Sequence, residues 1–361
     1  MGRIFLLLCL MMSYADAEDR VLHIYGWSGS IPQHLLTQFE TETGIKVTYD
    51  VYDSNDILEA KLLTGKAKFD LVMPSVTPNF LRQIEAKVFQ PIQKEKLSNY
   101  KNLDKRIVSL ISSFDAGNQY GVPLTMGTTG FGYNKKEMAK HFPKGAPDSL
   151  NLLFKKGDIQ KFQSCGVILL DFPQDILEAS QAYLGHTPSC HDKNKLEKAL
   201  AALRKIRPFI KEFTANSDRV VRELASGEAC FVHLWSNDAL LAQREARDAG
   251  TGVEIGYMIP KKWPGLWVDM MAIPKNARHP ENAHRFIDFL LRPEIAAQIV
   301  QSTLMAVPNT EMKKHLPKSL QNNPLIFIPD YALKNLRIQE SLSFRDERML
   351  MRKWTHFKLG W

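Results

Sequence analysis

Tryptophan and aspartate recur close together along this chain of 361 residues. Trp267 and Asp269 are separated by one residue, and Trp235 and Asp238 by two. An indole face covers methylene groups and attracts cations, which contributes about 0.5–2 kcal/mol when the pair is desolvated. An ammonium group has three donors and no acceptor, so carboxylate and hydroxyl oxygens must surround it. The pairs therefore fit an alkyl chain that carries ammonium groups.

Further tryptophan, aspartate and serine side chains complete a candidate ligand-binding set. The set comprises Trp27, Ser28, Ser75, Asp171, Asp175, Trp235, Asp238, Trp267 and Asp269. Several members also have a purely structural interpretation. Trp267 could be a core residue, Asp171 could hold a strand end, and Asp175 and Asp238 could cap the helices that follow them.

A strand–helix–strand–helix pattern over Val21–Leu63 positions the first candidates. Alternating apolar residues predict a strand from Val21 to Tyr25, and Ser30 is predicted to cap a helix that Gly44 ends. A second strand, Ile45–Tyr52, then implies a parallel sheet with crossover helices. Ligands bind beyond the carboxyl ends of such strands, which is where Trp27 and Ser28 lie.

The other candidates also follow or lie on predicted strands. Strands are predicted over Gly166–Asp171, Ala229–Trp235 and Trp267–Ile273. Residues two apart on a strand share a face, so Trp267 and Asp269 should point the same way. The pattern alone predicts two α/β domains, and Tyr120–Asn134 and Val253–Ile259 are the candidate segments for the chain that joins them.

The first residues predict a secretory signal peptide. Arg3 precedes the apolar run Ile4–Met12, and Ala15-Asp16-Ala17 is typical of a cleavage site. We expect the mature chain to begin at Glu18 and to be exported. Beyond this segment, no apolar run approaches the ~20 residues that a membrane-spanning helix needs, so no transmembrane segment is predicted in the mature chain.

The formal net charge of +8 does not predict a nucleic-acid partner. The 47 Lys and Arg residues are dispersed against 39 Asp and Glu residues. The densest clusters, Lys261-Lys262 and Lys313-Lys314, lack an array of stacking aromatic residues. A cationic ligand would have to be bound by nearby carboxylates, because the net positive charge of the chain repels it.

Enzyme motifs are missing from the sequence. The segment Gly26–Ser30 fails the G-x-S-x-G pattern because its second glycine comes one position early. No P-loop, HExxH or GxGxxG motif occurs on a strand–helix turn. We therefore expect no enzymatic activity, no cofactor and no metal.

Three cysteines remain in the mature chain, namely Cys165, Cys190 and Cys230. In an oxidising compartment three cysteines allow at most one intramolecular pair. One cysteine beside His191 makes no closed metal site. The residues alone do not choose the pair.

A series of short motifs resembles the periplasmic putrescine/spermidine-binding proteins of ABC importers, through nearly the whole mature chain. The motifs are Tyr25-x-Trp27-Ser28, Phe39-Glu40-x-Glu42-Thr43-Gly44-Ile45-Lys46-Val47, Asp53-Ser54-Asn55, Phe69-Asp70-Leu71-Val72-Met73-Pro74-Ser75, Thr128-Thr129-Gly130-Phe131-Gly132-Tyr133-Asn134, Trp267-Val268-Asp269 and Ile287-Asp288-Phe289-Leu290-Leu291-Arg292-Pro293. Their number and order carry the resemblance.

The resemblance implies an α/β clamshell of the periplasmic-binding-protein type II, in which two lobes joined by two hinge crossings close around a ligand. The implied segments are a signal peptide (1–17), the first lobe (18–125 and 253–312), the second lobe (126–252) and a tail on the second lobe (313–361). A disulfide between Cys165 and Cys230 is implied, with Cys190 unpaired. The implied partners are a linear polyamine, bound in the interlobe cleft, and an inner-membrane ABC permease. We expect a periplasmic monomer.

Four residues depart from the family pattern. Relatives usually carry an acid at the position of Gly29, often Tyr at Ser30, Glu at Asp175 and Tyr at Met305. These departures leave the choice between a diamine and a triamine open. Two other functions stay open: an exported amine-sensing or interaction module, and a binding protein for another cationic amine.

Overall fold

A computed structural model of the chain describes two compact units, and each is described here by itself. The first unit comprises the described residues up to Met126 together with Val268–Asn322, and the second comprises Gly127–Trp267 and the described residues from Asn323 on. The predicted signal peptide lies outside the described residues, which are 20–52, 54–65, 68–147, 150–263, 265–328, 333 and 337–360.

Nine strands and a set of α-helices make up the described chain. The strands are β1 Val21–Trp27, β2 Lys46–Tyr52, β3 Leu71–Val72, β4 Gly121–Asn134, β5 Val167–Leu170, β6 Glu212–Thr214, β7 Phe231–Trp235, β8 Ile255–Met258 and β9 Gly265–Ala272. The helices are α1 Gln33–Thr43, α2 Asn55–Leu63, α3 Leu81–Glu85, α4 Lys105–Ile111, α5 Lys135–His141, α6 Asn151–Phe154, α7 Lys156–Ile159, α8 Pro173–Tyr183, α9 Lys193–Ile206, α10 Ser217–Ser226, α11 Ser236–Asp248, α12 Pro280–Leu290, α13 Pro293–Thr303, α14 Lys318–Gln321 and α15 Phe344–Leu359.

The first unit contains the parallel sheet that the sequence predicts. Strand β1 pairs in parallel with β2 on one side and with β3 on the other, and β3 pairs antiparallel with β9. The apolar residues of β1 that the alternation singles out, Leu22 and Ile24, are fully buried. Gly44 ends α1 in the left-handed conformation, which glycine adopts without steric cost. The carboxyl ends of β1 and β3 therefore meet at one edge of the sheet.

The predicted role of Ser30 as a helix cap is wrong. Helix α1 begins at Gln33 after Pro32, with no side-chain cap. The Ser30 hydroxyl instead donates to the carbonyl oxygen of Trp27, at 2.9 Å, and the residue is 1% exposed. Because the helix begins three residues after Ser30, this hydroxyl is not at the cap position, and it closes the turn after β1 instead.

Helix α8 and helix α11 begin earlier than the sequence predicts. Helix α8 starts at Pro173 and α11 at Ser236, so Asp175 and Asp238 lie inside the first turns and neither is an N-cap. Proline at the first position fits because its missing N–H has no partner in the helix anyway. The carboxylates of both aspartates are therefore free to make other contacts.

Strands of the second unit also pair with one another. Strand β5 pairs in parallel with β6 and β7, and β4 pairs antiparallel with β7 and β8. The unit contains the disulfide between Cys165 and Cys230, which confirms the pairing implied by the resemblance, and Cys190 is a buried free thiol.

The two compact units divide between Met126 and Gly127, between Trp267 and Val268 and between Asn322 and Asn323. Strand β8 pairs with residues 131–134 of β4, and both lie in the second unit. At the carboxyl end, helix α15 packs on the second unit through Trp354, which is fully buried against Phe213.

Candidate functional site

In the first unit, the structure brings together Trp27, Ser75 and Asp269 from three different strand regions. Ser75 and Asp269 form an antiparallel bridge. The Ser75 hydroxyl donates to Asp269 Oδ1 at 2.7 Å, and the Thr125 hydroxyl donates to Oδ2 at 3.2 Å. The amide of Asn55 donates to Ser75 Oγ at 3.2 Å and fixes that hydroxyl. Both oxygens of one buried carboxylate are thus oriented by neutral donors.

Burial raises the pKa of Asp269 to about 6. The residue is 9% exposed, and desolvation penalises its charged form. Hydrogen bonds from Ser75 and Thr125 oppose that rise, and so does the nearby indole N–H of Trp27, although this N–H does not reach hydrogen-bond geometry with any described residue. At neutral pH Asp269 is a carboxylate with no cationic partner among the described residues, in a place where a negative charge is costly.

Aromatic side chains pack next to this carboxylate. The rings of Trp27 and Tyr52 lie 4.6 Å apart, and the hydroxyl of Tyr49 donates to the Trp27 carbonyl oxygen at 2.8 Å. Gly26 is required for this packing because a Cβ there would lie 2.4 Å from the Tyr49 hydroxyl. Ser28, predicted to be a ligand contact, lies on an exposed turn, and within the described residues no hydrogen bond joins it to Asp269.

In the second unit, Trp235 and Asp238 lie at the start of helix α11. The Asp238 carboxylate accepts hydrogen bonds from the Ser217 hydroxyl at 2.8 Å and from the Asn237 amide at 2.9 Å. It is 2% exposed, and burial raises its pKa to about 6. This site repeats the chemistry around Asp269: a buried carboxylate is held by neutral donors next to an indole.

Trp267 packs beside the same helix start. A Cβ on Gly127 would lie 2.3 Å from Cζ2 of Trp267 and 2.9 Å from the Ser236 hydroxyl, so the indole approaches the backbone at a position where only glycine fits. The edge of Trp235 meets Phe172, with ring centroids 5.2 Å apart. Two half-buried indoles and one carboxylate therefore share this part of the second unit.

Asp175 lies in a second group of the same unit. Its carboxylate accepts hydrogen bonds from the amide of Gln339 and from the hydroxyl of Thr129, and burial raises its pKa to about 6. Thr129 lies opposite Trp235 in the pairing of β4 with β7. The Asp175 group is therefore adjacent to the Trp235 group, with Thr129 as the link.

Asp171 is engaged by the C-terminal helix rather than grouped with the other candidates. Its Oδ1 accepts from the indole N–H of Trp354 at 2.6 Å, and its Oδ2 pairs with the ammonium of Lys358 at 2.5 Å. The charge of Asp171 is thereby paired with a cation of the chain itself.

Sequence reasoning missed the two threonines of β4 that orient the aspartates. Thr125 and Thr129 are polar residues four apart in a largely apolar extended run. That spacing puts both side chains on one face of a strand. Two polar residues on one face of an apolar strand are the sequence feature that could have identified them.

The described residues contain no group of three or more His, Cys, Asp and Glu side chains placed to hold a metal. A helix both apolar enough and long enough to span a bilayer is also missing from them.

Comparisons with known proteins identify the family. Residues 34–328 match the family model of the bacterial extracellular solute-binding proteins. The putrescine-binding periplasmic protein SpuD of Pseudomonas aeruginosa is 39% identical over 99% of this chain and 98% of its own length. The putrescine-binding periplasmic protein PotF of Escherichia coli is 36% identical over 98% of this chain and 95% of its own.

A solved structure has the same fold. The spermidine/putrescine ABC transporter substrate-binding protein PotD from Streptococcus pneumoniae superposes with a TM-score of 0.79 at 25% identity, covering 94% of this chain and 99% of its own. This likeness confirms the α/β periplasmic-binding-protein fold that the resemblance implied. With the family model and the curated relatives in agreement, the chain belongs to the bacterial extracellular solute-binding protein family.

Proposed function

We propose that this chain is a periplasmic binding protein that captures a linear polyamine and delivers it to the permease of an inner-membrane ABC importer. The observation that carries the proposal is the Asp269 carboxylate, which is buried, oriented by Ser75 and Thr125, and unpaired with any cation in the described residues. The names of the relatives, which bind putrescine or spermidine, give the ligand class.

The ligand supplies the cation that the buried carboxylates lack. A primary ammonium has three N–H donors, and Asp269, Ser75 and Thr125 together offer four side-chain oxygens to accept from them. The first-unit set we propose is Trp27, Ser75 and Asp269, with Ser28 at its exposed margin. Leaving either charge buried alone would cost several kcal/mol, so ammonium and carboxylate are recognised together.

The second unit offers the same chemistry through Asp238 and Asp175. Trp235 and Trp267 cover methylene groups, and a neutral alkyl segment gains from contact with their faces. We place Asp171 outside the ligand contacts because its charge is already paired with the ammonium of Lys358. No catalytic step is needed for this function, which is reversible binding by a monomer.

Calorimetry against a panel of amines tests the proposal. Putrescine, cadaverine, spermidine and spermine are titrated into the purified chain, with lysine as a cationic amine of another class. We expect micromolar or tighter binding of at least one polyamine. At a ligand concentration 1,000 times the Kd, binding stabilises the fold by about 4 kcal/mol and raises the Tm. No heat of binding and no Tm shift with any of the four polyamines would refute the proposal, and tighter binding of lysine would change the ligand class.

A further inference from the structure

Helix α8 carries a second buried carboxyl group, Glu178, one turn after Asp175. Residues three apart share a helix face, so both side chains leave the helix on the same side. Glu178 is 2% exposed. Its Oε1 accepts from the amide of Gln174 at 2.8 Å, whereas its Oε2 has no hydrogen-bond partner in the described residues. A buried carboxyl oxygen without a partner calls for an explanation, because its desolvation is uncompensated.

The two carboxyl groups belong to one hydrogen-bonded network. The amide of Gln339 donates to Asp175, and the same side chain, close to Glu178, lowers the pKa of Glu178. The amide of Gln174 bonds both Glu178 and the carbonyl oxygen of Glu340. A charge bound at Asp175 therefore changes the pKa of Glu178.

The titratable groups that face Glu178 are acidic. Asp175 lies on the same helix, Glu340 comes from the segment before α15, and the Cys190 thiol comes from the connection between α8 and α9. Burial raises the pKa of Cys190, so this thiol stays neutral. Burial, with the field of Asp175 and Glu340, raises the pKa of Glu178 to about 8. At neutral pH Glu178 is thus a carboxylic acid beside an ionised Asp175.

A cavity beside Asp175 gives an independent observation. It has a volume of about 20 Å³, room for one water molecule, and it is lined by Thr129, Asp175, His233, Trp263 and Gln339 among others. The imidazole of His233 is 4% exposed, and its Nδ1 has no partner in the described residues. Burial lowers the pKa of His233 to about 3, so the ring is neutral. It cannot serve as the missing cation, which leaves the acidic pair to be neutralised by a proton or by a ligand.

We propose that Glu178 is a positioning residue that holds a proton beside Asp175 and releases it to the solvent when the ammonium of a bound polyamine reaches Asp175. The inference rests on the proposed function. Without ligand, two carboxyl groups in one buried network cannot both ionise, and the pair keeps one proton. The ligand cation lowers the cost of the second negative charge, so the proton leaves Glu178 for the buffer. The bound ammonium then faces two carboxylates instead of one.

The proposal has a definite pH signature. Binding that releases one proton becomes up to about tenfold tighter for each unit that the pH rises, until the pH reaches the pKa of the free protein. The window from pH 7 to pH 8 isolates Glu178, because Asp175, Asp238 and Asp269 have pKa values of about 6 and are ionised there. Glu178→Gln replaces the acid by a neutral amide of the same size. In this variant the affinity should be flat across the window.

Calorimetry in two buffers counts the released protons. The tightest polyamine of the panel is titrated at pH 7.5 in phosphate and in Tris, whose heats of ionisation differ. We expect the wild-type protein to release at least half a proton per ligand, because Glu178 is mostly protonated at that pH. Glu178→Gln should release almost none. The matched control Glu197→Gln, an exposed glutamate on α9 paired with Lys353, should behave as the wild type does.

A bound polyamine with no proton release by the wild-type protein would overturn the inference and leave the proposed function standing. Equal proton release by wild type and Glu178→Gln would also overturn it. If the variant fails to fold, the wild-type measurement still decides. A second readout is the infrared band of protonated carboxyl groups at pH 7.5, which should be present in the ligand-free wild type and weaken when ligand is added. A band that persists at saturation would overturn the inference, and absence of all binding refutes the proposed function instead.

Discussion

Replacing Asp269 by asparagine should stabilise the ligand-free protein and abolish tight ligand binding. Burial raises the pKa of this carboxyl from 3.8 to about 6. The folded state therefore holds the proton more tightly than the unfolded state, and stability is lost as the pH rises through this range. A shift of this size corresponds to about 3 kcal/mol at pH 7, where the group is ionised in both states.

The asparagine side chain avoids the cost of the buried charge, but it loses one hydrogen bond that the carboxylate accepts. An asparagine has one acceptor oxygen where the carboxylate has two, so the hydroxyl of Ser75 or Thr125 loses its acceptor, at a cost of about 1 kcal/mol. The net gain in the free energy of unfolding is about 2 kcal/mol at pH 7. At pH 4, where the wild-type carboxyl is protonated in the folded state, the gain should disappear.

Ligand affinity should change in the opposite direction. The bound ammonium would be buried without its counter-ion, which costs roughly 2–5 kcal/mol for one partner of a buried charge pair. Asp175→Asn should cost about 1 kcal/mol, because the second unit also offers Asp238.

Denaturant unfolding at pH 7 and pH 4 and calorimetry with the tightest polyamine measure both changes. The control is Asp288→Asn in the first unit, whose carboxylate also accepts a serine hydroxyl, from Ser98 at 3.0 Å. It should leave ligand affinity unchanged. A less stable Asp269→Asn protein at pH 7, or a loss of affinity no larger than that of Asp175→Asn, would refute the reasoning.

Two further predictions concern the second unit. Gly127→Ala should weaken polyamine binding measurably, because the new Cβ would lie 2.3 Å from Trp267. The control Gly157→Ala has open space around its Cβ and should leave the affinity unchanged. Equal affinities of the two variants by calorimetry would contradict this packing. Reduction of the Cys165–Cys230 bond, which joins residues 65 apart, should lower the free energy of unfolding by about 4 kcal/mol through the chain entropy of the unfolded state. Denaturant unfolding with and without reductant measures this loss, and an unchanged midpoint would contradict the estimate.

The placement of Trp27 and Ser75 at one edge of the sheet could be predicted from sequence because it depends on the meeting of parallel strand ends. The structure pairs β1 in parallel with both β2 and β3. The contact of Ser75 with Asp269 could not be predicted, because Asp269 lies 194 residues later, on the strand β9 that pairs antiparallel with β3.

The state of Asp171 could not be predicted because its partners are far away in the chain. Trp354 and Lys358 lie 183 and 187 residues later, on a helix whose docking no local pattern specifies. Ser30 shows the same limit at short range. Its residue type favours a helix cap, but the geometry of the preceding turn directs its hydroxyl to the carbonyl oxygen of Trp27.

The pKa values of the aspartates lay beyond sequence reasoning for another reason. The sequence shows only that Asp238 and Asp269 are acidic residues. Their burial among neutral donors makes the ionised form energetically costly, and the sequence does not show this burial. The residue types predicted a cation site, and the three-dimensional packing explains why a cation is needed there.

The most direct test of the central claim compares putrescine with 1,4-butanediol, which has the same chain length and no charge. Calorimetry is performed with the wild-type protein at pH 7. Because buried carboxylates without counter-ions carry the recognition, putrescine should bind and the diol should give no detectable heat. Binding of the diol with an affinity similar to that of putrescine would contradict the account, since shape and methylene contacts alone would then explain recognition.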